Sequence, residues 1–124
     1  EYASYIMEAV VTNQPYKIGG NVRNDGYIEN LPSDACVEVP CYIDGTGVHP
    51  TKVGKLPAHL AAMNASNIGV QLMTIEAAVT RDRKKIYQAA MLDPHTAAEL
   101  NIHDIISMCD ELIAAHGDYM KDYK

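Results

Sequence analysis

A chain of 124 residues and 13.6 kDa has room for one domain, and its 48% hydrophobic content suffices for a core, with eight Tyr and six Met standing in for absent Phe and Trp. The formal charge of −6 argues against a nucleic-acid or anionic-membrane surface, because phosphate recognition needs clustered Lys and Arg. The three cysteines (Cys36, Cys41, Cys109) lack a secreted-scaffold spacing, nothing resembles a signal peptide, and no apolar run approaches the ~18 residues of a membrane span, so a reducing cytoplasmic setting is expected.

The chain opens with "EYASYIMEAV", which puts Tyr2, Ile6, Ala9 and Val10 on one helical face with no capping residue ahead of Glu1. That is the pattern of a helix whose start has been cut away. "TNQPYKIGG" breaks it through Pro15 and the Gly19-Gly20 pair. The stretch from Asn24 to Cys41, "NDGYIENLPSDACVEVPC", has the look of one β-hairpin, with Asp25-Gly26 as a tight turn. Ala35, Val37, Val39, Cys41 and Ile43 alternate as a buried face, with Glu38 and Tyr42 opposite. Pro40 cannot donate to a ladder and so marks an edge or a bulge. "DGTG" (Asp44 to Gly47) closes the next turn, and "VHPTKV" supplies a return strand.

The remainder is helical. Pro57 suits a first turn, and Leu60, Ile68, Leu72, Ile75 and Val79 follow at helical spacing, with Asn64 on the stripe and Gly69 weakening its middle. The basic run "RDRKK" reads as a solvated helix start, with Thr80 as the cap of a short helix through Ile86, Ala89 and Ala90. Asp93-Pro94 is a cap followed by proline at the first helical position. Asn101 starts the last helix, whose apolar stripe runs from Ile102 through Ile105, Ile106, Cys109, Leu112 and Ile113 to His116, with Gly117 as its stop. The pattern predicts an α+β fold, with a small antiparallel sheet from about Gly20 to Val53 packed against the helices starting near Pro57 and Asn101.

Chemistry-bearing residues are scattered. His49, His59, His95, His103 and His116 contain no pair at the four-residue helical spacing of a metal site. His49 precedes Pro50 in an expected loop. Cys36 and Cys41 fall on opposite faces of one strand, which suits neither a disulfide nor a shared ligand set, and Cys109 belongs to an apolar stripe. Glu38 stands alone between valines, as a solvated strand acid would, while Asp110-Glu111, Asp118 and Asp122 have the look of an exposed face and tail. The glycine pairs precede no helix and are not phosphate loops. Asn21, Asn24 and Asn30 suit turns and caps, whereas Asn64 and Asn67 share a helix face and could bond the sheet or an adjacent domain. No nucleophile, metal site or cofactor motif emerges.

The segments "EYASYIMEA", "GNVRNDGYIENLPSDACVEVPC", "GVHPTKVGKLPAHLAAMNASNIGVQLMTIEAAVTRDRKKIYQAAMLDPHTAAEL" and "LIAAHGDYM" together resemble the C-terminal portion of glycoside hydrolase family 4. Within it they are most similar to the α-galactosidase (melibiase) branch. The resemblance implies a protein built like lactate and malate dehydrogenases, with an N-terminal dinucleotide-binding domain absent here and residues 1–124 as a single C-terminal domain fragment. It implies hydrolysis of α-galactosides or related glycosides by redox-assisted elimination and addition, an exception among glycosidases. NAD+ accepts hydride from the sugar C3, Mn2+ holds the C2 and C3 oxygens, and a base removes the C2 proton.

The cofactor and metal sites are expected in the missing portion, so the fragment alone is expected to be inactive, with none of its residues catalytic, cofactor-binding or metal-ligating. Glu1, Tyr2 and Asn24 are expected near the cleft, without a catalytic role. The expected partners are its own N-terminal domain, other copies in a homo-oligomer and a glycoside. Apolar or Tyr surface at Tyr2, Tyr5 and Ile6 should mark the lost interface, either exposed or covered by another copy of the chain. Two other readings share part of the pattern. One is the C-terminal domain of a lactate/malate-type dehydrogenase, which would not be expected to show "AAMLDPHTAAEL". The other is a stand-alone oligomerisation or interaction module.

Overall fold

A computed structural model describes residues 2–124, which form two compact units, one through Ala61 and the other Ala62–Lys124. Among the described residues, no helix is long and apolar enough to cross a membrane.

The first unit holds α1 (Tyr2–Thr12) and a three-stranded antiparallel sheet, β1 (Tyr16–Arg23), β2 (Cys36–Asp44) and β3 (Gly47–Pro50), in the order β1-β2-β3. The predicted alternation of β2 holds: Val37, Val39, Cys41 and Ile43 are buried, while Glu38 and Tyr42 are exposed. The helix lying on the sheet is α1, which contributes Ala9 to this core. The helices from Pro57 and Asn101, to which the pattern assigned that place, fall largely in the second unit. Asn13 ends α1 with a φ of 56° and accepts the Gly45 amide on Oδ1 at 3.0 Å, so the helix terminus is tied to the β2–β3 turn.

Three expectations for the sheet need correction. Gly19-Gly20 is no breaker but the middle of β1, opposite Pro40 and Val39. Gly20 is glycine for lack of room, since a Cβ there would stand 2.7 Å from the Sγ of buried Cys41, whereas one on Gly19 would meet only the flexible tip of Glu38, at 2.8 Å from Oε1. Pro40 lies in the central strand, not on an edge. Its carbonyl accepts the Thr51 amide at 2.9 Å, so its polar side faces the end of β3, where a missing N–H breaks no ladder bond. Lastly, the expected hairpin turn is internal to a connection. Asp25 (φ 38°) and Gly26 (φ 89°) make a tight turn closed by Tyr27 N–H to Asn24 C=O at 2.7 Å, but β2 begins only at Cys36.

The second unit is helical: most of α2 (Ala58–Thr80), then α3 (Arg83–Leu92), α4 (Pro94–Glu99), α5 (Ile102–His116) and a terminal 3-10 turn (Gly117–Met120). Asp93 caps α4 through the Thr96 amide, and Asn101 caps α5 through the amides of His103 and Asp104, both as predicted. The cap of α3 is Asp82 rather than Thr80, whose hydroxyl bonds back to the Glu76 carbonyl at 2.7 Å. α3 packs on α5, joined by the Tyr87 hydroxyl donating to Asp110 at 2.5 Å. Of the α5 stripe, Ile105 and Cys109 are buried, whereas Ile102 and Leu112 remain exposed.

Candidate functional site

The long connection between β1 and β2 is built around Asn24, whose side chain is fully buried. Its Nδ2 donates to the carbonyls of Ile28, Leu31 and Pro32 at 2.9–3.0 Å, and its Oδ1 accepts the Ile28 amide at 2.7 Å. A side-chain amide offers both a donor and an acceptor on a single planar group. Asn30 repeats the device across a longer span, exchanging two 2.9 Å bonds with the backbone of Leu56. A parallel bridge between Ile28 and Gly54 and the Lys52–Glu29 ion pair at 2.9 Å complete the docking of this loop. The turn-and-cap reading therefore holds for Asn24 and Asn30 in kind. Asn21 differs, because it lies within β1 opposite Glu38.

At the other end of β1, Tyr2 begins α1 and lines a concavity of about 360 Å3 with Tyr16, Lys17, Ile18 and Gly19. Tyr5 and Tyr16 meet with tilted rings whose centroids are 5.4 Å apart, which extends the aromatic ledge. A neighbouring concavity of about 310 Å3 is lined by Lys17, Ile18, Gly19, Glu38, Val39 and Pro40. Glu38 is thus the acid beside a glycine gap, a relation that its isolation in sequence does not reveal. Tyr2 and Asn24 lie at opposite ends of β1 and are not brought together. Glu1 lies outside the described residues.

Titratable groups elsewhere are committed to local structure. On the β2–β3 turn the Asp44 carboxylate accepts from the Thr46 hydroxyl at 2.6 Å, the Thr46 amide at 2.7 Å and His49 Nε2 at 3.1 Å. The Thr46 bonds first, and His49 after them, hold its carboxyl at about 2. Thr46 Oγ1 also lies 2.8 Å from His49 Nε2, so the three side chains close a triangle on Asp44 Oδ1 and together clamp the turn. His49, expected in a loop, sits in β3 within this clamp.

His59, His103 and His116 are exposed on α2 and α5, and His95 lies in α4. Cys36 is exposed and Cys41 buried, on opposite faces as predicted; burial first, then Asp110, pushes the buried Cys109 thiol up. Asn67 bonds the Met63 carbonyl of its own helix at 3.4 Å. Among the described residues, no three His, Cys, Asp or Glu converge on a point where a metal ion could sit.

The family model described as "Family 4 glycosyl hydrolase C-terminal domain" matches residues 1–96. The α-galactosidase of Bacillus subtilis is 60% identical over 124 residues, which is 100% of this chain and 29% of that protein. The α-galactosidase of Rhizobium meliloti is 35% identical over 123 residues, 99% of this chain and 25% of that protein. A solved 6-phospho-alpha-glucosidase from gut microorganisms, in complex with NAD and glucose-6-phosphate, matches with a TM-score of 0.87 at 25% identity, over 99% of this chain and 27% of its own. The 6-phospho-beta glucosidase of Thermotoga maritima, solved with manganese, NAD+ and glucose-6-phosphate, gives 0.79 at 27% identity, over 94% of this chain and 29% of its own. The chain therefore spans less than a third of the length of these relatives.

Proposed function

Since this chain belongs to glycosyl hydrolase family 4, as C-terminal domain sequence, we propose that the full-length protein hydrolyses α-galactosides by NAD- and Mn2+-dependent redox elimination and addition. The observation that carries this reading is the 60% identity, across all 124 residues, to the α-galactosidase of Bacillus subtilis. When bound, NAD+ and the metal supply reversible oxidation of the sugar and stabilisation of the charge that develops on its oxygens.

The residues described here do not fit either group, since no three metal-ligating side chains converge and no glycine pair opens a helix. We assign both sites to an N-terminal dinucleotide-binding domain outside these 124 residues. This chain is scaffold for that domain. Tyr2, with Glu1, is assigned to the cleft side of the fold, and Asn24 to holding the loop that borders it. The protein is read as a cytoplasmic homo-oligomer.

Full-length protein should release p-nitrophenol from p-nitrophenyl α-galactoside only with NAD+, Mn2+ and a thiol reductant, while the 124-residue chain alone should give none. An intact protein that ignores this substrate and cleaves a 6-phospho-α-glucoside instead would overturn the α-galactoside assignment. Turnover by the chain alone would overturn the scaffold role.

A further inference from the structure

The open edge of β1 carries a consequence for the full-length protein. In an antiparallel pair, residues alternate between those bonded to the neighbouring strand and those whose N–H and C=O point away from it. The parity here is set from two sides. Asn24 N–H donates to Ala35 C=O at 2.8 Å, continuing the register in which Val22 faces Val37. Pro40, opposite Gly19, directs its carbonyl to Thr51 and so away from β1. Tyr16, Ile18, Gly20 and Val22 therefore bond β2, and Lys17, Gly19, Asn21 and Arg23 turn both backbone groups outward.

Since β1 ends the sheet, these outward groups have no strand beside them among the described residues. The edge has no bulge or proline along its eight residues, and glycine occupies its centre. Such an edge is a template for a further strand. The two concavities described above meet at Lys17, Ile18 and Gly19, one toward Tyr2 and Tyr16 and the other toward Glu38 and Pro40. A strand laid along the edge sends alternate side chains to opposite faces, and each face offers one of these depressions.

We infer that β1 is completed in the full-length protein by an extended segment of the same polypeptide lying outside these 124 residues, which adds a fourth strand to the sheet. The inference rests on the reading of the chain as part of a longer protein. A relative of which it covers 29% leaves ample chain for the purpose, and a tethered segment has a millimolar effective concentration. A second copy in the register centred on Gly20 fits less well, because it sets Lys17 against Arg23 twice, and like charges directly opposite repel. The fitting segment carries an acid opposite Lys17, since Arg23 already pairs with Asp25 at 3.2 Å, and an apolar or aromatic side chain toward Tyr2.

Residue-resolved hydrogen–deuterium exchange on the full-length protein tests this. The amides of Lys17, Gly19, Asn21 and Arg23 should exchange roughly 100-fold or more below their unpaired rates, at every protein concentration. Asn21→Pro removes one outward donor and no bond to β2, so Gly19 and Arg23 should lose protection while Ile18 and Gly20 keep theirs. Unprotected outward amides in the wild-type protein would overturn the inference. Protection that vanishes on dilution would assign the edge to a second copy and overturn it equally. Because exchange and turnover are read separately, an active enzyme with free amides sinks this pairing alone.

Discussion

Four hydrogen bonds converge on the Asn24 side chain at a position with no solvent exposure. Asn24→Ala strands the Ile28 amide and the Leu31 carbonyl, at about 1–3 kcal/mol for each buried group, while the Ile28 and Pro32 carbonyls keep the amides of Leu31 and Ala35. We expect a loss of roughly 3 kcal/mol in urea unfolding of the folded chain, and at least as much for Asn24→Asp, whose carboxylate would face carbonyls. An Asp variant as stable as wild type would refute this account. The residue type was legible in sequence as a turn former; its burial was not, because the carbonyls it satisfies lie up to eight residues ahead. Asp44 gives a pH prediction. Its carboxyl is held at about 2 rather than 3.8, so the clamp's contribution is present above the ordinary value and lost as pH falls through about 2. Carbon-detected titration should show that low midpoint, and Thr46→Val, which removes the largest cause, should raise it toward the ordinary value.

Within the elements, the glycine pair of β1 shows where local patterns mislead. Two adjacent glycines read as a break because each weakens a strand on its own. Here the cost is offset across the sheet, where Cys41 occupies the space that a Gly20 side chain would need. Gly20→Ala should therefore destabilise the chain by about 1–3 kcal/mol through overpacking. Cys41→Ala should cost on its own account, yet the double variant should recover part of the Gly20→Ala loss, giving a coupling of about 0.5–3 kcal/mol in a double-mutant cycle. Strict additivity of the two changes would show that the contact does not set the glycine. The α3 cap shows a milder version of the same blindness. Thr80 and Asp82 both suit an N-cap by type, and only the left-handed backbone of Arg81 between them decides for Asp82. Caps flanked by proline or by a clear loop, Asp93 and Asn101, were legible from sequence alone.

For the whole molecule, the α+β plan and the family were legible because β2 alternates cleanly and the blocks that resemble the family run the length of the chain in order. The helix on the sheet was not, because of the single face that its periodicity offers (Tyr2, Ile6, Ala9 and Val10) only Ala9 is buried. Ala9 is buried, yet Tyr2 and Met7 are each 67% exposed and Val11 is 84% exposed. Ser4, Glu8 and Thr12 form a polar stripe along α1, and Met7 and Val11 lie beside it as exposed apolar side chains. The exposed apolar side of α1 therefore has the character of an interface, of the kind that buries roughly 600–1,500 Å2 between domains. With no other domain present, contiguous apolar surface of this kind favours contact between copies. We expect the 124-residue chain alone to sediment with a weight-average mass that rises with concentration. Met7→Glu together with Val11→Glu should return it to monomer with helix content unchanged, because both side chains point to solvent. In the full-length protein the same pair should instead lower thermal stability, since the charges would then be buried against the rest of the polypeptide. A wild-type chain that stays monomeric across a hundredfold range of concentration, or a full-length double variant of unaltered stability, would show that the outer face of α1 is ordinary solvent-facing surface.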